Sequence, residues 1–331
     1  MPTPEDYTVG WICALSIESV AAQSFLDEEH ARLAYQDPQD NNDYTLGKIG
    51  DHNVVIAVLP MGRYGTTSAA MVARDMIRSF PNIRIGLMVG IGGGAPTLEN
   101  DIRLGDVVVS ISKNGQGEVL QYDFGRTIQS QKFQRIPSQN NVPISLQTAV
   151  HGLQGQHERK GHKLQEAIEN ALQNNKRMRK KYGRPNPHTD RLYTSACEHT
   201  RDQIGICFDI CGDDPANTVH RDIREEDEDD PAIYYGIIAS ANSLMKDALM
   251  RDALAKEYNI LCFEMEAAGL LNHFPCLVIR GICDYSDTHK HDQWHGYAAM
   301  TAAAYAKDLL NRIPPSKIEA ERKISDVLSS G

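Results

Sequence analysis

Apolar positions in the first 110 residues fall into short unbroken runs, separated by longer stretches in which they recur with helical spacing. Tyr7 to Ala14 (YTVGWICA) predicts a buried strand, and Ile17 to Leu26 the helix after it. YTLGKIGDHNVVIAVLP predicts two strands around a Gly50-Asp51 turn. Thr66 to Ser79 carries an apolar, alanine-rich helical face. Ile83 to Val89 is apolar throughout and of strand length. It runs into Gly90-Ile91-Gly92-Gly93-Gly94, and a further strand is expected over Asp106 to Ser110. Strands that are apolar at every position and alternate with helices predict a mostly parallel sheet covered on both faces.

From about Ser112 to Pro231 the pattern turns polar and irregular. Lys163 to Lys181 predicts one amphipathic helix ending in the basic run KRMRKK, and REEDEDD (Arg224 to Asp230) an acidic loop. Both charge runs are expected to be solvated surface. The α/β pattern then resumes. Tyr234 to Ala239 predicts a strand, Ser243 to Glu257 a helix, Cys276 to Cys283 a strand and Gly296 to Asn311 a long helix. The expected architecture is a single α/β domain over residues 5–312, with a central mixed, mostly parallel sheet flanked by helices. A large insertion occupies about 112–231, and a polar tail, loosely helical or a linker, occupies 313–331.

The 331 residues are 41% hydrophobic and 24% charged, an ordinary globular balance. A formal net charge of -10 and no continuous basic face exclude a general nucleic-acid binder. Seven scattered cysteines fit a reducing compartment better than a disulfide framework. The amino terminus lacks a signal pattern, and no apolar run approaches the ~20 residues of a membrane span. The expectation is a soluble cytoplasmic protein.

Four segments place polar residues at strand ends, where open α/β sheets bind ligands. ALSIES puts Glu18 about one turn into a helix, where by itself it reads as a surface acid favoured by the helix dipole. VGIGGGAP offers glycines that let a backbone approach a ligand, but Ala95 breaks the dinucleotide fingerprint. CFEMEAAGLL holds Glu264 and Glu266 in an otherwise apolar stretch. There they are either acids of a helix start or, on one face of an extended segment, a grip for sugar hydroxyls. LVIRGICDYSD sets Asp284 directly after an apolar strand, as a helix cap or an acid, with Asp287 the better cap of the two.

ALSIES, VGIGGGAP, FEMEAAG and RGICDYSD, in this order and at this spacing, resemble the nucleoside phosphorylase and nucleosidase superfamily on its methylthioadenosine/S-adenosylhomocysteine nucleosidase side. QYDFGR, YYGIIASANSLMKD and the stretch from CFEMEAAG to HGYAAMTAAAYAKDLL are similar to fungal nucleosidase-like proteins, whose domain often heads receptor-like chains. The resemblance implies roles for named residues. Glu266 holds the ribose hydroxyls, Met265 packs beneath the sugar, Asp284 protonates or hydrogen-bonds purine N7, and Glu18 activates water. Leu244 and Met245 line the base pocket with Asn242 and Phe263 beside them, and Gly92 and Gly93 form a loop next to the ribose.

The expected reaction is hydrolysis of a purine N-glycosidic bond, with an acid at the base and a general base on the opposite side. The resemblance also supplies the alternative. The family's phosphorylases bind phosphate through a Gly-Asp-x-x-Arg stretch and an arginine before a Gly-Ser loop. Here the first is ALSIES, the second position is Met88, and Ile91 replaces the serine. Ile91 also departs from the nucleosidases, which keep a polar residue there. A third reading is a non-catalytic purine nucleotide sensor within a larger receptor. Kinship with immune-receptor relatives thought to destroy ATP makes adenosine and ATP the leading substrates. Arg63, Arg103 and Arg126 are the cations that could grip a triphosphate. No cofactor is expected, and at least a homodimer is. Cys197, His199, Cys207, Cys211 and His220 gather in the insertion, and the C-x₃-C of CFDIC is tolerated by zinc. They are read as thiols and imidazoles without a metal.

Overall fold

The computed structural model describes residues 2–112, 117–130, 133–135, 142–199, 207–212, 214–225, 228–271, 273–289 and 291–329. Its strands are β1 (Val9–Cys13), β2 (Glu28–His30), β3 (Tyr44–Ile49), β4 (His52–Val58), β5 (Ile85–Gly94) and β6 (Val107–Ser110). These are followed by β7 (Val119–Gln121), β8 (Gly125–Arg126), β9 (Gln134–Arg135), β10 (Ile233–Ser240), β11 (Ile260–Glu264) and β12 (Cys276–Asp284). The α-helices begin with α1 (Ser16–Gln23), α2 (Thr66–Ser79), α3 (Ile144–Lys160) and α4 (Leu164–Asn174). After them come α5 (Arg179–Tyr182), α6 (Cys207–Cys211), α7 (Ala248–Tyr258), α8 (Ala267–Leu270), α9 (His295–Arg312), α10 (Pro315–Ala320) and α11 (Ile324–Ser329).

The sheet runs β11-β10-β6-β12-β5-β1-β4-β3-β2, and β11 also pairs with β5. That last pairing closes β5, β12, β6, β10 and β11 into a ring, from which β1, β4, β3 and β2 extend as an open arm. Closure removes two exposed edges. Pairing is mixed: β5 lies parallel to β1 and β12 but antiparallel to β11, and β12 lies antiparallel to β6. The chain is therefore the α/β architecture expected, a mixed sheet flanked by helices.

Three strand or helix ends differ from the sequence reading. The expected strand ending at Val89 continues through the glycines to Gly94, because β12 pairs with them up to Gly93 on one side and β11 with Gly93 and Gly94 on the other. Gly92 and Gly93 therefore sit in a strand and not in a loop. The helix expected over Lys163 to Lys181 stops at Asn174, where Asn175 leaves helical geometry, and a separate helical turn begins at Lys176. The helix expected from Ser243 starts at Ala248, since the Asp247 side chain caps it by accepting the Met250 N–H at 2.9 Å.

The polar middle of the chain is more structured than its pattern predicts. α3 and α4 bury Leu146, Val150, Leu153, Leu164 and Ile168 in the same core as the sheet, and both pack on α9. KRMRKK is solvent-exposed apart from the half-buried Met178, but the acidic segment is anchored: Arg224 forms an ion pair with the buried Asp106 at 2.6 Å. The tail also docks, burying Ile318 and Ile324, and the Ile324 N–H donates to Ile83 O at 2.9 Å. Among the described residues no helix is long and apolar enough to cross a membrane.

α9 presses its alanines against β12 and β5. The approach is so close that a Cβ on Gly281 of β12 would stand 2.5 Å from the Ala298 carbonyl carbon. Gly281→Ala is expected to lower stability by about 1–3 kcal/mol through overpacking. Urea unfolding checks this, and an unchanged midpoint would contradict the packing described.

Candidate active site

Two strands converge on one glycine of β5. Phe263 of β11 pairs with Gly93 from one side and Asp284 of β12 from the other. Any side chain there would collide: a Cβ on Gly93 would lie 2.6 Å from Asp284 Oδ1 and press on Ser286 Oγ. Gly90 is equally crowded, its Cβ falling 2.5 Å from Arg280 Nη1 and against the Glu18 carboxylate. The glycine run therefore clears room for charged side chains at the strand ends.

Arg280, in the middle of β12, is fully buried. A buried guanidinium needs acidic partners, because an unpaired one bears the full desolvation penalty. It has three. Nη2 forms an ion pair with Glu264 and lies 3.5 Å from Glu266 Oε2, while Nη1 lies 3.9 Å from Glu18 Oε1 and donates to Ile91 O at 3.3 Å. The three acids come from the end of β11, the start of α8 and the first turn of α1.

Local backbone geometry aims each acid. Glu264 accepts the Glu266 N–H at 3.1 Å and the Ala267 N–H at 3.0 Å, so the chain turns just after β11. Glu266 has helical dihedrals there (φ -117°, ψ -38°), and the turn brings its carboxylate back to Arg280. A shared face of an extended segment is thus not what unites the two glutamates; the turn is. Glu266 Oε1 also accepts the Gly65 N–H at 3.3 Å. Glu18 is 3% exposed, which excludes the surface-helix reading. Its Oε2 accepts the N–H groups of Ala14 (2.7 Å) and Leu15 (2.9 Å), and its Oε1 that of Ile91 (2.8 Å).

Three carboxylates against one guanidinium leave excess negative charge in a dry place. Burial pushes the Glu18 carboxyl above its usual range, against Arg280 and the three backbone N–H groups. Burial and the neighbouring Glu264 push Glu266 up to about 7, with Arg280 opposing them. Burial works against the Arg280 cation, but Glu264, Glu266 and Glu18 outweigh it and keep it charged.

Asp284 stands apart from this cluster, and among the described residues no hydrogen bond or ion pair joins it to Arg280 or the glutamates. The register of β12 shifts between Ile282 and Asp284, a bulge that re-aims the acid toward Gly93. Its Oδ1 accepts the Ser286 N–H at 2.8 Å. Burial, with Asp284 beside it, holds the Cys283 thiol well above its usual pKa, and the thiol donates to Asp284 Oδ2 at 3.5 Å. His295, at the start of α9, has a ring nitrogen within 4.8 Å of the same carboxylate. Asp287 does not cap a helix as expected. It accepts the His289 N–H at 2.8 Å and lies 3.8 Å from Arg251 Nη1, and the next helical turn begins at Asp292 after His291.

The neighbouring wall is partly apolar. Phe263 meets Tyr122 edge-on with ring centroids 5.6 Å apart, and Met245 is buried in the same cluster. Asn242 binds this wall to the start of α2, its Oδ1 accepting from Thr66 N (3.1 Å) and Thr66 Oγ1 (2.9 Å). Its own N–H donates to Asp123 Oδ2 at 3.0 Å. Met265 is half-buried beside Glu266. Leu244 is 60% exposed and does not join the buried wall. Arg63 and Arg126 are exposed and make no ion pair among the described residues. Arg103 is committed elsewhere, to Asp101 and to the Asp222 carbonyl at 2.7 Å.

Arg280, Tyr122 and His295 carry no role in the sequence reading. Arg280 had a signal: a lone cation within the apolar run LVIRGIC demands buried acids. Tyr122 and His295 had none, since only the fold brings them to Phe263 and Asp284.

The profile of the phosphorylase superfamily matches residues 8–313. The chain belongs to this superfamily. It is 44% identical over 319 residues to a nucleotide-binding leucine-rich repeat (NLR)-like protein of Hyaloscypha variabilis; the match covers 96% of this chain and only 30% of that protein. It is 22% identical over 312 residues to the 5′-methylthioadenosine/S-adenosylhomocysteine nucleosidase of Mycobacterium bovis, covering 93% of this chain and 97% of the relative. Among solved structures, the corresponding nucleosidase of Helicobacter pylori has a similar fold, with a TM-score of 0.57 at 15% identity over 92% of this chain and 98% of that one. The superfamily and its nucleosidase-like fold thus agree with the motif resemblance.

Replacing Arg280 by the similarly long Met would leave three buried carboxylates without their cation. Arg280→Met is expected to cost about 3–5 kcal/mol at neutral pH. Without the cation the folded-state pKa values of Glu18 and Glu266, already raised by burial, rise further above their unfolded values. The deficit should therefore shrink as pH falls toward about 4, where the unfolded chain also protonates them. Urea unfolding at both pH values checks this; a deficit that grows in acid would contradict it.

Proposed function

We propose that this chain is a purine N-ribosyl hydrolase, a nucleosidase that uses water to release adenine from an adenine nucleoside or nucleotide, with adenosine and ATP as the leading substrates. The observation that carries the reading is the excess of buried negative charge around Arg280. Breaking an N-glycosidic bond develops positive charge on the ribosyl group, and preorganised carboxylates stabilise such charge strongly in a water-poor site. The same excess repels phosphate. No arginine stands in ALSIES, Met88 is fully buried, and Arg280 is occupied by glutamates, so support for a phosphate nucleophile is weak.

Glu18 is the general base. Three of its four lone-pair positions take backbone N–H groups, which leaves one on Oε1 for a water proton. Glu266 grips the ribose hydroxyls, with Met265 beneath the sugar and Gly92 and Gly93 allowing the ring to approach the strand. Asp284, set apart from the glutamates, serves the purine as hydrogen-bond partner or acid at N7. Phe263 and Met245 supply the wall for the base, with Asn242 holding that wall in place and Leu244 at its rim. Arg63, two residues from the Gly65 that contacts Glu266, and Arg126, three residues beyond Asp123, are the cations available to a 5′-triphosphate. A second reading is kept because the fungal relative is an NLR-like protein of which this chain spans 30%: the domain would report purine binding within a receptor.

Mass analysis of products from adenosine, inosine, methylthioadenosine and ATP, with and without phosphate, separates these readings. Adenine is expected at the same rate without phosphate. Release only with phosphate would overturn hydrolysis, and binding without release from any purine would favour the sensor. Asp284→Ala is expected to reduce turnover by about 10²-fold or more while the unfolding midpoint holds; persistence of turnover would remove Asp284 from the mechanism.

Glu266 also sets a pH dependence. Ionised, it accepts two hydroxyl hydrogen bonds; protonated, it is a poorer acceptor. With its pKa at about 7, KM is expected to fall as pH rises through about 7. Glu266→Gln should flatten that limb, and an unchanged limb in the variant would assign it to another group.

A further inference from the structure

The part of the fold that faces the Asp284 loop from the side of the 190s segment holds a second group of chemically active side chains. Three of the seven cysteines, Cys197, Cys207 and Cys211, lie here, and none of the three is in a disulfide. Cys207 and Cys211 are four residues apart on α6, so their thiols share a face, with sulfurs 3.7 Å apart. His199 Nδ1 approaches Cys211 Sγ at 3.2 Å, and the ligand atoms of His199, Cys207 and Cys211 all lie within 4.8 Å of one another. Cys197 Sγ stands 3.8 Å from Nε2 of His289.

The separations within the His199, Cys207 and Cys211 triad are those of donors sharing one small ion. Around tetrahedral zinc, with Zn–S near 2.3 Å and Zn–N near 2.0–2.1 Å, ligand atoms stand about 3.4–3.8 Å apart. Thiols and an imidazole gain little from crowding in the absence of a metal, because S–H is a weak donor and sulfur a weak acceptor. Thiolate and imidazole are the ligands zinc prefers over the oxygen ligands of magnesium and calcium. His220, the other histidine of the sequence cluster, is exposed and pairs with Asp222 at 3.5 Å, which removes it from the set.

We propose that His199, Cys207 and Cys211 hold a structural zinc ion, with Cys197, which stands outside this triad, supplying the fourth ligand. Binding deprotonates the three thiols, releasing their protons to solvent, and involves no redox change. The site lies outside the glycosidic chemistry and does not depend on it. Its consequence is positional. The His199 N–H donates to Thr288 Oγ1 at 2.8 Å, and His289, packed face to face on Tyr193 at 3.9 Å, has Asp287 at 3.4 Å from its Nδ1. A metal at the cysteines therefore fastens residues 193–199 and α6 to the loop that follows Asp284.

The test is metal content of the tag-free chain purified from cells grown without added zinc. About one zinc per chain is expected, falling below about a tenth in Cys207→Ser and Cys211→Ser and remaining near one in His220→Ala. Because a cysteine variant that misfolds would lose metal trivially, the wild-type chain is also stripped with a chelator and titrated with cobalt(II). Intense d–d bands with thiolate-to-cobalt charge transfer are expected, displaced by stoichiometric zinc. A folded chain that carries no zinc and gives no such bands overturns the proposal. Full zinc occupancy in the Cys207→Ser/Cys211→Ser double variant overturns it as well.

Discussion

One guanidinium organises the active end of this molecule. Arg280 is buried in the central strand and can be charged there only because Glu18, Glu264 and Glu266 surround it. The dependence is mutual, since the three acids would repel one another without it. The rest of the site follows from making room for that group. Glycines on β5 leave space for it, the β11–β5 pairing draws the EME turn against it, and α1 begins where Glu18 can reach it. Segments far apart in sequence are thereby joined at one point of the sheet.

Much of the fold was legible in the hydrophobic pattern. The expected helix over Thr66 to Ser79 is α2, and the apolar runs that begin near Tyr7, Ile83 and Cys276 are β1, β5 and β12. What the pattern hid has physical reasons. Glycines ordinarily signal a turn, but in β5 they mark close approach by neighbouring strands. The polar middle conceals α3, which shows only a narrow apolar face that packs on α9, whereas α4 was expected and only its end was misplaced. The break after Asn174 carries neither glycine nor proline.

The site was legible in part. Motif order pointed to Glu18, Glu266 and Asp284, and the fold joins the first two through Arg280 while setting the third at the bulge beside Gly93. Spacing alone suggested that Glu264 and Glu266 act as a pair on one strand face, whereas a tight turn brings them together. The cation between them was visible in LVIRGIC but has meaning only once its burial is known. Leu244, Arg63 and Arg126 are exposed and stand outside the buried cluster of acids.

On the proposed function, the buried acids around Arg280 favour a ribosyl group that has become cationic over one that is neutral, and they disfavour an anionic nucleophile. This differential is the account's central claim, and it can be read without turnover. Calorimetric titration of the chain with an adenosine analogue whose sugar ring carries a protonated nitrogen, and with its uncharged carbocyclic counterpart, measures it directly. The account predicts that the cation binds at least about 10²-fold tighter. Equal affinity for the two, or tighter binding of the neutral compound, would contradict it.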